Sequence, residues 1–431
     1  MASESFKKET RVSQTDFIRE RKLSFKNLVL FLLQGVHRTL SVELDSFLKL
    51  LGKEEISYSK QALSKARRKI KHTGFIKIND TFVETYYSET GYKEYKDYRL
   101  IGIDGSMVEL PVGEEIEKKF GKHSNKEHWL NSGWSMTAFD LQNEIIIESK
   151  LCRSGISERE EMIKLLEAIK NKGKQRRDII VADRGFPSLA VFMRLQRMSY
   201  DYIIRYNGEQ FLRELKDFTK GNESDVIVEV SLLAEGKRQK SGELARLIAE
   251  GAEEKLTIRV VKVELPGGTI EYLATSVLDK EVLTKEDLEG IYFMRWGLEE
   301  GFKQLKNTME LENLSSKSEE TILQEYYCKI IMYNLHRVVV QNAQQELDKK
   351  VEKNKSRLKY ERYKINENVS YGIVKNKVTE LLNDPDGDWE RTFHYLVKIV
   401  QKNPIPSRPN RHYERIRRWI HKFPGNKRRA T

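Results

Sequence analysis

Cysteine is nearly absent: Cys152 and Cys328 are the only two in 431 residues. They supply no disulfide framework and no C-x-x-C metal pair, which excludes a small secreted scaffold and implies a reducing, cytoplasmic setting. Long apolar runs are missing as well. No stretch approaches the roughly 18 apolar residues that a membrane span needs, and "LVLFLLQGV" (Leu28 to Val36) is short enough to read as a buried helix. The opening "MASESFKKETRVSQTDF" has no apolar signal core, and no internal repeat of about 20–50 residues is found. Acid is in deficit, with 65 Asp plus Glu against 77 Lys plus Arg and a net charge of +12. That excess suits a polyanionic partner, nucleic acid ahead of an acidic membrane surface. A hydrophobic fraction of 39% with 10% aromatics is ample for packed cores, so the chain is not a disordered one. Its length predicts two to four units.

Residues 1–95 read as a helical, basic N-terminal region with DNA contact expected. "SYSKQALSKARRKIKHTGF" (Ser57 to Phe75) places Ala62, Ala66 and Ile70 at helical spacing with Lys60, Lys65, Arg67, Arg68 and Lys69 around them. It is either a recognition helix for a major groove or an ordinary solvated helix. From 96 to 207 the period turns extended. "GWSMTAFD" and "EIIIESKL" flank "LQN" as a hairpin, and helix and strand then alternate through "RDIIVADRGF" and "YDYIIRY". This predicts an α/β fold with a mixed sheet flanked by helices. Residues 208–283 read as a β-rich insertion, with "PGG" a hairpin signal. Residues 284–347 are helical, opening on the capping pattern "TKED". Residues 348–431 form a basic helical C-terminal region, with nine basic residues from Arg408 to Arg429 against Glu414. That tail is either a DNA-backbone contact or a solvated charge run.

Asp104 and Asp183 share a setting: each ends an apolar run and is followed by glycine, in "IDGS" and "ADRGF". Beyond strand ends in such sheets, side chains converge on ligands, and paired carboxylates suit Mg²⁺. The alternative is that each caps a turn or a helix. In "IYFMRWGLEEGFKQLKN" (Ile291 to Asn307), Tyr292, Arg295, Glu299, Phe302 and Lys306 fall on one helical face, with Glu300 turned off it. Simple helix pairing accounts for Arg295 but not for the apolar company around Tyr292. A half-buried carboxylate among cations signals a site.

The pattern Tyr292-x2-Arg295-x3-Glu299-x6-Lys306 resembles the Y-x2-R-x3-E-x6-K signature of DDE transposases of the insertion-sequence-four type, and Asp104 and Asp183 resemble that family's two aspartates. Separations of 79 residues from Asp104 to Asp183 and 116 from Asp183 to Glu299 are similar to that family's arrangement, in which a β-rich insertion precedes the glutamate. The resemblance spans about 50 to 420. It implies a ribonuclease-H-like catalytic core that performs metal-dependent cleavage at transposon ends and strand transfer into target DNA. Asp104, Asp183 and Glu299 would be catalytic and would hold two Mg²⁺ ions, with Mn²⁺ able to substitute; Tyr292, Arg295, Lys306 and Arg184 would contact DNA phosphates. The implied partners are double-stranded DNA, as terminal inverted repeats and as target, and a second copy of the chain in a homodimer. No membrane is involved, and the setting is the bacterial cytoplasm, on the nucleoid when bound. In well-known members the strands pass through a hairpin, helped by an insertion tryptophan. Here Trp129, Trp134, Trp296, Trp389 and Trp419 all lie outside 208–283, which leaves that step open, with Trp296, Trp134, Tyr206 or Tyr272 as the stacking face.

"HSNKEHWLNSGW" (His123 to Trp134) reads as a nucleic-acid surface or as a loop entering a core strand over a buried Trp134; its histidines have no cysteine partners for zinc. Competing functions are a non-catalytic DNA-binding scaffold and a glycosidase with paired carboxylates. The second leaves the +12 charge unexplained.

Overall fold

Alternating and continuous apolar runs between 99 and 275 assemble into one mixed sheet. In the computed structural model, the described residues are 3–19, 22–36, 38–124, 129–173, 176–206, 215–232, 242–251, 255–265, 268–314, 316–383 and 388–407. The strands are β1 (Arg99–Glu109), β2 (Lys122–Ser124), β3 (Trp129–Asp140), β4 (Ile145–Arg153), β5 (Asp178–Ala182), β6 (Asp201–Tyr206), β7 (Asp225–Ser231), β8 (Lys255–Glu264) and β9 (Ile270–Thr275). Their order is β2-β3-β1-β5-β6-β9-β8-β7, with β4 also on β3. Hydrogen bonds from Leu141 N to Leu100 O (2.9 Å) and from Leu110 N to Asn131 O (2.8 Å) make β1 and β3 antiparallel. β1, β5 and β6 are parallel neighbours. A meander followed by two parallel strands is the ribonuclease-H-like arrangement expected from the sequence.

Two compact units divide the chain. One comprises Thr85–Met107 and Trp134–Phe302, the other Met1–Glu84, Val108–Gly133 and Lys303–Thr431. In the first, Ile179, Ile180, Val181 and Ala182 of β5 are all fully buried. Helices cover both faces of such a strand, so its sequence is a continuous apolar run rather than an alternation. Helix Glu158–Asn171 packs on β4, and helices Leu189–Arg197 and Lys285–Met294 pack on β6. The β3–β4 hairpin closes where the Asp140 carboxylate accepts from the Gln142 and Asn143 amides, at 3.0 and 2.9 Å. The 208–283 segment continues the same sheet, because β9 pairs antiparallel with β6 from Ile203↔Thr275 to Tyr206↔Tyr272. Thr284 and Asp287 form the expected capping box.

In the other unit the axis is the 35-residue helix Glu319–Lys353. It buries side chains all round, from Ile322 through Tyr333 to Ala343, as a helix enclosed by others must. Helix Phe25–Gln34, the "LVLFLLQGV" segment, packs against it with Leu28 to Leu33 buried. The basic segment 57–75 departs from expectation: its helix is short, Lys60–Arg67, and a turn separates it from helix Thr73–Glu89. Arg67 points inward, where Nε donates to Gln324 Oε1 at 2.8 Å and NH1 to Glu325 Oε1 at 2.7 Å, with NH2 on the Thr321 carbonyl. A buried guanidinium with three such acceptors has a packing role; Lys60, Lys65 and Arg68 remain exposed. Among the described residues no helix is long and apolar enough to cross a membrane. Both cysteines are buried and free.

At the foot of the β1–β5 ladder, Arg99 and Asp178 are 3% and 4% exposed and form a bidentate pair, with both bonds 2.8 Å. Asp178→Ala strands the buried guanidinium and should cost about 3–5 kcal/mol, measured by urea unfolding of the unit's cooperative transition; a loss below 1 kcal/mol contradicts this account.

Candidate active site

Parallel register brings the two aspartates together. β1 pairs with β5 from Arg99↔Asp178 to Ile103↔Ala182, and β5 pairs with β6 up to Ala182↔Ile204. One step further along each strand stand Asp104, Asp183 and Arg205. Asp104 does not lie beyond its strand, as the sequence suggested. β1 runs on to Glu109 because β3 pairs its far half; it is β5 that ends here. Asp183 begins a turn in which its carbonyl accepts from Phe186 N at 3.1 Å. Its Oδ1 accepts from Arg184 N at 2.7 Å, while Asp104 Oδ1 accepts from Gly105 N at 2.8 Å. Asp183 thus caps the turn after its strand, whereas Asp104 accepts from the next amide within β1.

The helical segment arrives from the opposite side of the sequence in two pieces, Lys285–Met294 and Trp296–Asn307. The continuous helix expected here is broken at Arg295, whose N donates to Tyr292 O at 3.1 Å and whose O accepts from Leu298 N at 3.0 Å. These i to i+3 bonds tighten the turn around a buried side chain. Tyr292 OH donates to Asp183 Oδ1 at 3.0 Å. Arg295, 5% exposed, donates from NH2 to Glu299 Oε1 at 3.1 Å, and its NH1 lies 3.8 Å from Asp104 Oδ2. Its guanidinium also sits 5.6 Å from the Tyr292 ring centroid and 5.8 Å from that of Trp296. Tyr292 thus meets Asp183 and Arg295 lies near Asp104, with Glu299 joined to them through Arg295, whereas Glu300 is exposed. Arg184 is exposed beside Asp183. Lys306 belongs to the other unit, where its Nζ lies 3.9 Å from Glu312 Oε1.

Sequence reading missed Arg205 and Glu158. Arg205 NH2 pairs with Glu271 Oε1 at 2.7 Å, and NH1 lies 3.8 Å from Asp183 Oδ1. Only strand register, a non-local property, reveals that neighbour. Glu158 opens helix Glu158–Asn171, and its charge acts on Asp104. Of the proposed stacking rings, Tyr206 is buried against Tyr272 with centroids 5.6 Å apart. Trp296 is 49% exposed. Trp134 packs over Gly105, where an added Cβ would meet the indole Nε1 at 2.0 Å. His128 and the tail 408–431 lie outside the described residues.

Burial pushes the Asp104 carboxyl up to about 6; the Gly105 amide and Arg295 pull it down, and Asp183 and Glu158 push it up. Burial, then Asp183, raises the Tyr292 phenol to about 12. Burial opposes the Arg295 charge, but Tyr292, Asp183, Glu299 and Asp104 more than offset it and raise its pKa. Among the described residues no three His, Cys, Asp or Glu side chains are grouped closely enough to hold an ion as they stand. The donor set nonetheless suits a hard divalent cation: carboxylate oxygens, with Asp183 and Glu158 adding negative charge around Asp104.

The sequence model of the transposase DDE domain matches residues 95–335, more than half of the chain, and takes in Asp104, Asp183 and Glu299. The protein belongs to that family and is a DDE transposase, an enzyme of phosphodiester cleavage and transesterification. It is similar to the transposase InsG for insertion sequence element IS4 of Escherichia coli (strain K12), at 21% identity over 361 residues, covering 82% of this chain and 75% of that protein. Among solved structures it is similar to a piggyBac transposase synaptic complex with hairpin DNA, with a TM-score of 0.43 and 11% identity, covering 94% of this chain and 82% of that one. Family membership excludes the glycosidase reading. The family works with divalent metal ions.

Two predictions follow from this geometry. Gly105→Ala forces the Trp134 indole aside and should cost about 1–3 kcal/mol by chemical denaturation, with the loss reduced in a Trp134→Leu background; equal losses in both backgrounds contradict the packing account. In metal-free buffer, the raised Asp104 pKa means the native state holds more protons than the unfolded state between about 4 and about 6. Stability from this group therefore falls as pH rises through that window and is level above it. The melting temperature of wild type minus that of Asp104→Asn should decline with pH across the same window; a flat difference contradicts the assignment.

Proposed function

We propose that Asp104, Asp183 and Glu299 are the catalytic triad of a cut-and-paste reaction that cleaves at the ends of a transposon and joins those ends to target DNA. The observation that supports this most is the shared register of Asp104 and Asp183 on one ladder, with Glu299 tied to Asp104 through a single buried arginine. Tyr292, by donating to Asp183, holds that carboxylate in one direction. Arg295, fixed between carboxylates and two rings, offers its planar fork to a phosphate near the scissile bond. Arg184 and Lys306 add phosphate contacts, the lysine as a mobile point charge. Two Mg²⁺ ions held by the triad, replaceable by Mn²⁺, supply when bound the charge that activates the attacking oxygen and stabilises the leaving one.

The substrate is double-stranded DNA, as terminal inverted repeats and as target, and a homodimer brings the two ends together. Residues 1–95 and 348–431 flank the catalytic core as DNA-binding and assembly regions. Should the strands pass through a hairpin, Trp296 is the exposed ring on which a displaced base can stack. A bacterial cytoplasm, which keeps Cys152 and Cys328 reduced, is the setting.

The test is cleavage of a duplex carrying the element's end, with Mg²⁺. Asp104→Ala, Asp183→Ala and Glu299→Ala should each lose roughly 4 kcal/mol of transition-state stabilisation, about a thousandfold in rate, while Glu300→Ala stays near wild type. Full activity in Asp104→Ala, or loss in Glu300→Ala with full activity in Glu299→Ala, overturns the reading.

A further inference from the structure

Helix Trp389–Val400 has two unlike faces. Leu396, Val397 and Val400 are buried in a core with Val374, Val378 and Leu381. The opposite face carries Arg391, Tyr395 and Lys398 at steps of four and three, and Lys402 continues it four residues on, in the turn after the helix. All four are exposed, Tyr395 by 54%. His394 stands beside them with Nδ1 donating to the Glu390 carbonyl at 2.8 Å. Among the described residues, none of the Arg391, Lys398 and Lys402 side chains meets a carboxylate or any other partner. Elsewhere in this unit cations find acids within reach: Arg67 has Glu325, Lys69 has Asp16 and Lys119 has Glu319.

We propose that the Arg391–Tyr395–Lys398–Lys402 stripe binds the phosphate backbone of duplex DNA without reading its sequence. It deepens the transposase reading, on which it rests. Three unpaired cations along one helical edge match a row of phosphates, and a tyrosine hydroxyl among them can donate to a phosphate oxygen. A second copy of the chain fits poorly. A two-fold interface sets the same patch against itself, and here that would press three cations together against only Asp388 and Glu390 at the start of the helix among the described residues. Downstream, the segment from Arg408 to Arg429 repeats the chemistry, with nine basic residues and one acid.

The experiment uses the full chain and a fluorescein-labelled duplex of the element's end, alongside an unrelated duplex, titrated over a range of NaCl. Arg391→Ala/Lys398→Ala/Lys402→Ala should lower the slope of log K against log salt by about 2–3, since each lost phosphate contact removes about 0.9. Affinity should fall on the order of a hundredfold at about 0.1 M salt, equally for both duplexes. Arg391→Lys/Lys398→Arg should keep the wild-type slope. An unchanged slope in a triple variant that melts with the wild type overturns the proposal, as does a change of oligomeric state without a change of slope. If the triple variant does not fold, Lys398→Ala takes its place, with a slope loss of about one expected. Wild-type protein that neither binds nor cleaves the end duplex refutes the transposase reading itself; wild type that cleaves while the triple variant keeps its slope refutes this surface alone.

Discussion

The parallel ladder between β1 and β5 is the constraint on which the rest depends. Four residue pairs separate the buried Arg99–Asp178 pair from Asp104 and Asp183. A side-chain period of two makes register all-or-none: a one-residue slip would turn every side chain of β5 to its other face. The bidentate pair at the foot makes any slip expensive, because the displaced guanidinium would be left buried without its carboxylate. Since both ends of one short ladder share one register, the charge pair that opposes slippage also sets the two aspartates side by side. Tyr87 and Arg177 extend that foot: the Arg99 guanidinium lies 4.8 Å from the Tyr87 ring centroid, and Arg177 donates to the Tyr98 hydroxyl at 2.8 Å.

Carboxylates gathered in this way repel, and burial raises the cost of keeping them charged. Arg295 is the response of the fold. The tightened turn that interrupts the helix places its side chain inside, against Glu299 and near Asp104, while Tyr292 satisfies Asp183. On the far side Arg205 stands between Asp183 and Glu271, so its charge is already largely committed. At Asp104 burial outweighs the Gly105 amide and Arg295, and with Asp183 and Glu158 pushing the same way its carboxyl is raised to about 6.

Local pattern made much of this legible. The buried run before Asp183 announced a strand end, and the three-and-four spacing from Tyr292 to Glu299 announced a shared face; both are short-range properties of the backbone. What stayed hidden depended on distant pairing. β1 continues past Asp104 because Asn131 and its neighbours lie alongside, and Arg205 is adjacent because β6 is. Neither follows from spacing along the chain. Nor does the i to i+3 turn at Arg295, which the helical spacing on either side leaves unannounced.

Charge shows the same division between composition and place. A surplus of +12 foretells an anionic partner but not where it docks. In "KARRK" the third residue, Arg67, is spent inside the protein on Glu325 and Gln324, and Lys69 on Asp16, so a segment that looks like the most basic helix in the sequence offers the solvent less charge than it contains. Arg391 and Lys398 sit in a less basic stretch yet keep their side-chain charge outward, because the inward face of their helix is filled by aliphatic side chains and, among the described residues, no carboxylate pairs with either side chain. For a polyanion, what counts is the charge left over after the protein's own carboxylates have been answered, and that remainder is a property of packing.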